Sequence, residues 1–545
     1  MSLRIAVALL CLSFLSHGVW NASFAQEGGA PKVEGPFQSF IQAPASMDGD
    51  LRELSIGQSL RGEESVTEVP LHEIPFLNLT PTDTSEDVPF IQLGSVDESV
   101  RPAGGLSRAN PNFDGIQLFD PGAFFVPPDT NGDVGPRHYV QTVNSAVAVF
   151  DKRGNLLAGP MPINALFAPL GGNCADGTPI DPIVNYDHLA NRWLVLGFPF
   201  SSPICIAVSK SGDPVTGGWF LYEFHVASLP DYPKLGVWPD AYYLSTQAGT
   251  VDIYALERRS LLRGDPVQAV HFTVGPPFML PADLDGRRPK ASRRAPFARH
   301  LDGDVWGGVD RLEVFEFHAD FDDPASSTFD LVASLPTEPF SAVLCGDSFF
   351  GTCAEQPNGV RLETLPVWMM WRLQYRRLSG HETLVANHTI AVDSSLGQGA
   401  GIRWYELRRR DGKPWRIFQQ GTFAPQDPAA TSFLHRWMGS IAMDKRGNIA
   451  LGFSASSSTV FPSVRYAGRL EEDPPGLLPR GRRPDGDIVM IAGQNSQLGF
   501  RWGDYSSMSV DPTDECTFWY TQEYTGAEED VWRTRIGAFK FRSCK

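Results

Sequence analysis

The chain lacks most of the signatures by which common enzymes can be read. It has no G-x-G-x-x-G and no G-x-x-x-x-G-K-[ST], so nucleotide phosphates find no glycine cradle. No G-x-S-x-G elbow occurs, and His381, Glu382 and His388 give H-E-x5-H, which is not the spacing of a zinc protease helix. Basic residues are the minority, 46 Lys and Arg against 63 Asp and Glu, for a formal charge of −17. That balance argues against a nucleic-acid partner, which needs a basic face. After the first 25 residues no run approaches the roughly 18 uncharged apolar residues of a membrane helix. Cysteine is sparse, seven in 545 residues with no C-x-x-C, and almost nothing keeps a helical period.

What is present points outward from the cell. Arg4 precedes the apolar run Ile5 to Leu15, and Ser23-Phe24-Ala25 offers small residues to a signal peptidase, predicting cleavage before Gln26. Removing Cys11 with residues 1–25 leaves six cysteines, an even set that reads as disulfides in an exported chain. Six cysteines allow 15 pairings, and sequence proximity favours Cys174–Cys205, Cys345–Cys353 and Cys516–Cys544. Between Gln26 and Val100 there are 14 acidic residues and three basic ones, without a sustained period. Residues 26–112 are therefore expected to be an acidic leader, largely extended or partly disordered.

From about Phe113 to the end the texture is all-β. Short Val, Ile, Tyr, Phe and Trp runs alternate with turn clusters, in a chain holding 52 Gly and 44 Pro. The turn Asp-Lys-Arg-Gly-Asn occurs twice between apolar strands, at 151–155 and at 444–448. Its Gly suits a positive φ and its Asp can cap the loop. Hairpins recurring in this way across residues 113–545 predict radial repetition, a β-propeller. Units are expected near 137–168, 180–225, 233–278, 300–336, 366–423, 436–495 and 500–542. These make seven blades, with six or eight compatible with the same boundaries, and a pair of β-sandwiches is the competing architecture. Neither a WD nor a kelch pattern is present.

Several segments occur in a recognisable order, among them PPDTNGDVGP (127–136), RWMGSIAMD (436–444) and RWGDYSSMSVDP (501–512). From about Asp129 to Cys544 the chain resembles a widespread group of large secreted bacterial proteins expected to be β-propellers. The resemblance implies a fold and a compartment, secreted or periplasmic, and no established activity. A fainter similarity, Ser509-Val510-Asp511 followed by Thr517-Phe518-Trp519, is to a degenerate Asp-box of sialidase-like propellers. There the motif is a structural turn.

Three constellations are candidates for a site. Asp129, Asn131 and Asp133 present oxygens at alternate positions, as a hard cation such as Ca²⁺ requires. Arg436-Trp437 and Arg501-Trp502 each precede an inner-strand pattern. Facing a central funnel, they would offer a guanidinium fork for carboxylates and an indole face for sugar rings. Asp504 and Glu523 could then serve as acid and base in glycoside cleavage, or Tyr505 and His435 in lyase chemistry. The expected function is thus an exported propeller that binds glycan or a surface partner at its funnel. The alternatives are a polysaccharide hydrolase or lyase on the same face, and a structural or adhesion protein. The basic clusters 287–299, 408–416 and 480–483 read as solvated loops.

Overall fold

A computed structural model describes residues 31–54, 66–69, 105–200, 203–226, 229–247, 250–346, 349–479, 487–528 and 530–545. The signal segment, most of the leader and Arg480–Arg483 lie outside the described residues. The architecture is all-β, and its helices are no longer than one or two turns. Among the described residues, no helix is long and apolar enough to cross a membrane.

Among the described residues the longer strands form seven four-strand antiparallel units: 131–162, 180–224, 231–274, 280–336, 370–423, 435–491, and 507–540 with Asn112–Gln117 (units I to VII). Within each unit the strands of the main run follow chain order. Units IV and V fuse into one eight-stranded sheet, because Ala282–Asp285 pairs in parallel with Leu373–Arg376. The first strand of each unit packs on the first strand of the next, and that of unit VII packs on that of unit I, so the seven close a ring.

Apart from that parallel pairing, polar side chains stitch the first strands together. Asn131 Oδ1 accepts from Val184 N–H at 2.9 Å, and Asp133 Oδ2 from Tyr186 N–H at 2.7 Å. Asn185 Nδ2 donates to Leu235 O, and Asp283 Oδ1 accepts from Val237 N–H. Gln374 Oε1 and Ser440 Oγ accept from Met443 and Met508 N–H, and Ser507 Oγ donates to Gly132 O. Each junction of the ring is thereby crossed by at least one buried hydrogen bond, which fixes the register of neighbouring units.

Apolar side chains fill the space between the sheets. Trp193, Trp219, Trp238, Trp404, Trp437 and Trp532 are among the fully buried ones, each a large apolar contribution to the core. Both Asp-Lys-Arg-Gly-Asn turns form as expected. Asp151 Oδ1 accepts from Arg153 and Asn155 N–H, and Asp444 Oδ1 from Arg446 and Asn448 N–H. Gly154 and Gly447 take φ of 91° and 89°. The three disulfides are Cys174–Cys205, Cys345–Cys353 and Cys516–Cys544, the pairing that proximity favoured.

Two described pieces of the leader are strands of the sheets. Val33–Ile41 adds a fifth strand to unit III against Val267–Val274, and Ala45–Met47 adds one to unit II. Asn112–Gln117, at the expected start of the propeller region, is the outer strand of unit VII, paired with Trp532–Lys540. These stretches supply backbone partners to open sheet edges, which their acidic composition does not reveal.

Candidate functional site

The entrances of the inner strands depart from regular β structure at one level of the ring. Asp129, Asp181, Tyr232, Met438 and Asp504 all take left-handed backbone conformations, with φ of 48–51°. Such residues cost about 1–3 kcal/mol each and persist only where the surroundings enforce them. Register shifts accompany them at Ile180/Ile183, Asp231/Lys234, Met370/Gln374 and Trp437/Ser440. A bulge of this kind turns side chains out of the ladder and toward the axis.

The side chains so aimed form a charged cluster. Asp129, Asp181 and Asp504 lie within the electrostatic reach of Lys234, whose Nζ lies 3.5 Å and 3.9 Å from the ring centroids of Tyr232 and Tyr505. Arg501 pairs with Glu363 at 3.0 Å and with Asp504 at 3.1 Å, and Trp502 N–H donates to Glu363 Oε1 at 2.7 Å. Glu523, on the second strand of unit VII, lies within the electrostatic reach of Glu363 and Asp504. Five carboxyl groups therefore share two cations, all of them at least nine-tenths buried. Both oxygens of Asp129, both of Glu523 and Oδ1 of Asp504 meet no hydrogen-bond donor.

Burial dominates the proton affinities. It pushes the carboxyls of Asp129 and Glu523 well above the usual range, helped in each case by neighbouring carboxylates. Glu363 and Asp504 are also raised by burial, with Arg501 pulling in the opposite direction. The Lys234 ammonium is brought down to about 8 by burial, against the field of Asp181, Asp129 and Asp504.

The connection between units IV and V, described over 337–346 and 349–369, reaches this end of the axis. It brings in Glu363 and also Trp368, which stacks on Tyr232 at 5.0 Å and donates to Gln247 Oε1. Phe350 packs edge-on to Phe500 at 5.6 Å, and Glu363 N–H donates to Phe500 O. Phe500 and Phe200 remain 36% and 45% exposed at the rim.

Several sequence expectations change here. The Asp129, Asn131 and Asp133 oxygens do not converge on a cation. Asn131 and Asp133 bind the backbone of unit II, while Asp129 belongs to the axial cluster. Among the described residues no group of three or more carboxylate, His or Cys side chains is placed to hold a metal ion. The Arg-Trp pairs do not form a funnel surface either. Arg436 is fully buried on Asp487, shared with Arg465, and Trp437 and Trp502 are buried with centroids 5.9 Å apart. An indole packed between sheets has no face left for a sugar ring. Arg501 does reach the cluster, as do Asp504, Tyr505 and Glu523.

His435 does not. Its Nδ1 accepts from Ala400 N–H at 3.2 Å, and burial pushes the imidazole down to about 3. Tyr505 instead donates to Pro182 O at 3.2 Å, so the two do not act as a pair. His388 stacks on His300 at 3.9 Å within the wall and bonds the Tyr405 hydroxyl. The basic segment 287–299 is also engaged rather than freely solvated: Arg293 pairs with Glu382 and Asp411, Arg294 with Asp330, and Arg299 with Glu313.

Sequence reasoning missed Asp181, Tyr232, Lys234 and Glu363. A signal existed for Asp181 and Tyr232. Asp129-Thr130, Asp181-Pro182, Tyr232-Pro233 and Asp504-Tyr505 occupy the same place at successive strand entrances. That repeat emerges only when strand starts are aligned instead of hairpin turns. Glu363 comes from an insertion outside the repeat and leaves no such trace.

No protein-family model matches the chain, and no curated protein matches it. Among solved structures it is similar to an α-L-arabinofuranosidase from Lactobacillus brevis, at 11% identity over 66% of this chain and 89% of that one, TM-score 0.27. It is also similar to the WD40 domain of SCAP from fission yeast, at 9% identity over 74% and 82%, TM-score 0.32. A third is Drosophila Plexin A, solved in complex with Semaphorin 1b, at 7% over 79% and 87%, TM-score 0.35. Scores of this size do not establish a shared fold.

Proposed function

We propose that the chain is an exported, disulfide-bonded β-propeller of seven blades that acts on a glycan at the end of its axis where the inner strands begin. The cyclic packing of seven first strands supports the blade count, and the three disulfides fit an oxidising compartment. One observation carries the site: buried carboxyls outnumber cations there, and several of their oxygens lack donors. Strain and unpartnered titratable groups gathered at one place are the mark of a chemical site. Asp504, paired with Arg501, is assigned as the base. Its proton-holding neighbours supply the acid, so acid–base hydrolysis of a glycosidic bond is the chemistry the set fits. An acid-rich cluster of this kind repels uronic acids, so neutral glycans are the substrates expected, in place of the acidic sugars suggested by the Arg-Trp pairs.

A second reading, binding without cleavage, is favoured by exposed Phe200 and Phe500 at the rim, which can pack on sugar faces. One experiment separates the two. Neutral and acidic polysaccharides are incubated with the wild type and with Asp504→Asn, following new reducing ends and retardation in affinity gels. Cleavage of a neutral glycan that disappears in a folded Asp504→Asn supports hydrolysis. Retardation without cleavage supports binding, and silence across the panel discards the glycan reading.

A further inference from the structure

The chain is acidic overall, with a formal charge of −17, yet its cations are not spread evenly. At the end of the axis opposite the carboxyl cluster, four turn regions of units IV, V and VI carry charge mostly of the other sign. Residues 286–294 hold five cations and no acid, 376–380 two and none, 408–416 five and one, and 444–448 two and one.

Hydrogen bonds and ion pairs join the four into one surface. Arg377 Nη1 donates to Arg288 O at 3.2 Å, so 376–380 lies against 286–294. Asp411 pairs with Arg293 at 2.7 Å and also with Lys290, which brings in 408–416. Lys445 N–H donates to Glu515 O at 2.9 Å, and Arg376 pairs with the carboxylate of the same residue at 2.7 Å. The acids that reach this surface are already engaged. Glu382 is held by Arg293 and Arg409, Glu406 and Glu471 by Arg408, and Glu515 by Arg376. A surplus remains: Arg287, Arg288, Arg410, Lys413, Lys445 and Arg446 are exposed and form no ion pair among the described residues. Like charges gathered in this way repel one another, and an arriving polyanion relieves that repulsion.

The chemistry of the surface selects the partner. Four of these six cations are Arg, whose planar fork pairs with oxyanions through two parallel hydrogen bonds. No large apolar side chain within the four regions is exposed, and Phe418 beside them has the Arg408 guanidinium 3.4 Å from its ring centroid. Nothing there is built to enter a bilayer. The four regions also expose no aromatic face on which nucleic-acid bases could stack. We propose that this face docks an anionic polysaccharide, whose carboxylate or sulfate groups pair with the six free cations. The rest of the molecule, negative overall, repels such a chain and so steers the encounter to this face.

Retardation of the intact protein in gels containing polygalacturonate, dextran sulfate or neutral dextran tests the proposal. Retention by an anionic polymer and not by the neutral one is expected, and which of the two anions retains the protein tells carboxylate from sulfate recognition. Retention should fade as the screening length falls from about 10 Å at 0.1 M salt to about 3 Å at 1 M. Arg287→Glu combined with Arg288→Glu should raise Kd by about tenfold or more. Arg410→Gln combined with Lys413→Gln, which reverses no charge, should weaken binding less, and it is the second probe where the first pair does not fold. Arg137→Glu combined with Arg153→Glu, on exposed turns of unit I, makes the same change in net charge and should leave Kd within about twofold. An equal loss in that control overturns the surface. Free migration of the wild type at low salt, or tighter binding to single-stranded DNA or to phosphatidylglycerol vesicles, overturns the partner. Asp504→Asn should be retained like the wild type, so failure of the axial site and failure of docking are read separately.

Discussion

The two ends of the axis are made from the same seven strands and are electrostatic opposites. Toward the end where the strands finish, Asp187, Asp283, Asp285, Asp511 and Glu515 are each paired with a cation. Arg372 binds Asp283 at 2.5 Å and both oxygens of Asp285 at 2.9 Å, and Arg376 binds Glu515 at 2.7 Å. Asp187 accepts from Arg258 at 2.6 Å and from the Tyr242 hydroxyl at 2.7 Å, while Lys152 bonds Asp511 across units I and VII. At the entrance end the carboxyls exceed the cations, the backbone is strained, and donors are missing. One set of interactions holds the ring together. The other is tolerated because the first is sound, which is how strained chemical sites are generally maintained.

The largest test of this contrast is to unbalance the sound end. Arg372→Ala strands two buried carboxylates and should cost about 3–5 kcal/mol in urea unfolding. Next in size, replacing Cys516 and Cys544 with Ser unties the last strand region from the chain end and should cost about 2–4 kcal/mol. Smaller again is a pH effect midway along the axis. Burial raises the Asp133 carboxyl to about 7, so the folded state binds a proton that the unfolded state, at about 4, releases. Stability should therefore fall as pH rises from about 4 to 7, and Asp133→Asn should flatten that slope by about 2 kcal/mol, read as Tm at pH 5 and pH 8. The smallest change has the opposite sign. Asp129→Asn relieves the entrance end and should leave stability at pH 8 unchanged or raised by up to about 1 kcal/mol. A large loss there would erase the distinction between the two ends.

The all-β architecture was legible because strand and turn periodicities are local properties. The Asp151 and Asp444 turns, the glycines within them and the three disulfides followed from short-range chemistry. The ring junctions were not legible. Asp129-x-Asn131-x-Asp133 looks like a cation loop because alternate carboxyl and amide oxygens suit a metal and a neighbouring strand's amides equally well. The difference lies in where unit II runs. The Arg-Trp pairs misled for a related reason: an indole that packs between sheets and one that stacks on a sugar are the same residue in sequence. The leader was opaque since strands that add to an existing edge draw stability from partners hundreds of residues away.

The pairing of Asn112–Gln117 with Trp532–Lys540 has a consequence for how the molecule is made. The sheet that shuts the circle takes its outer strand from before the first unit and its remaining strands from residues 507–540. No nascent chain released early can complete that sheet. A stop codon upstream of residue 532 should therefore leave two raw edges facing each other across a gap, ready to join a neighbouring chain. Production of a truncated product is expected to give aggregates, whereas cutting within the surface turns should leave a nicked molecule intact.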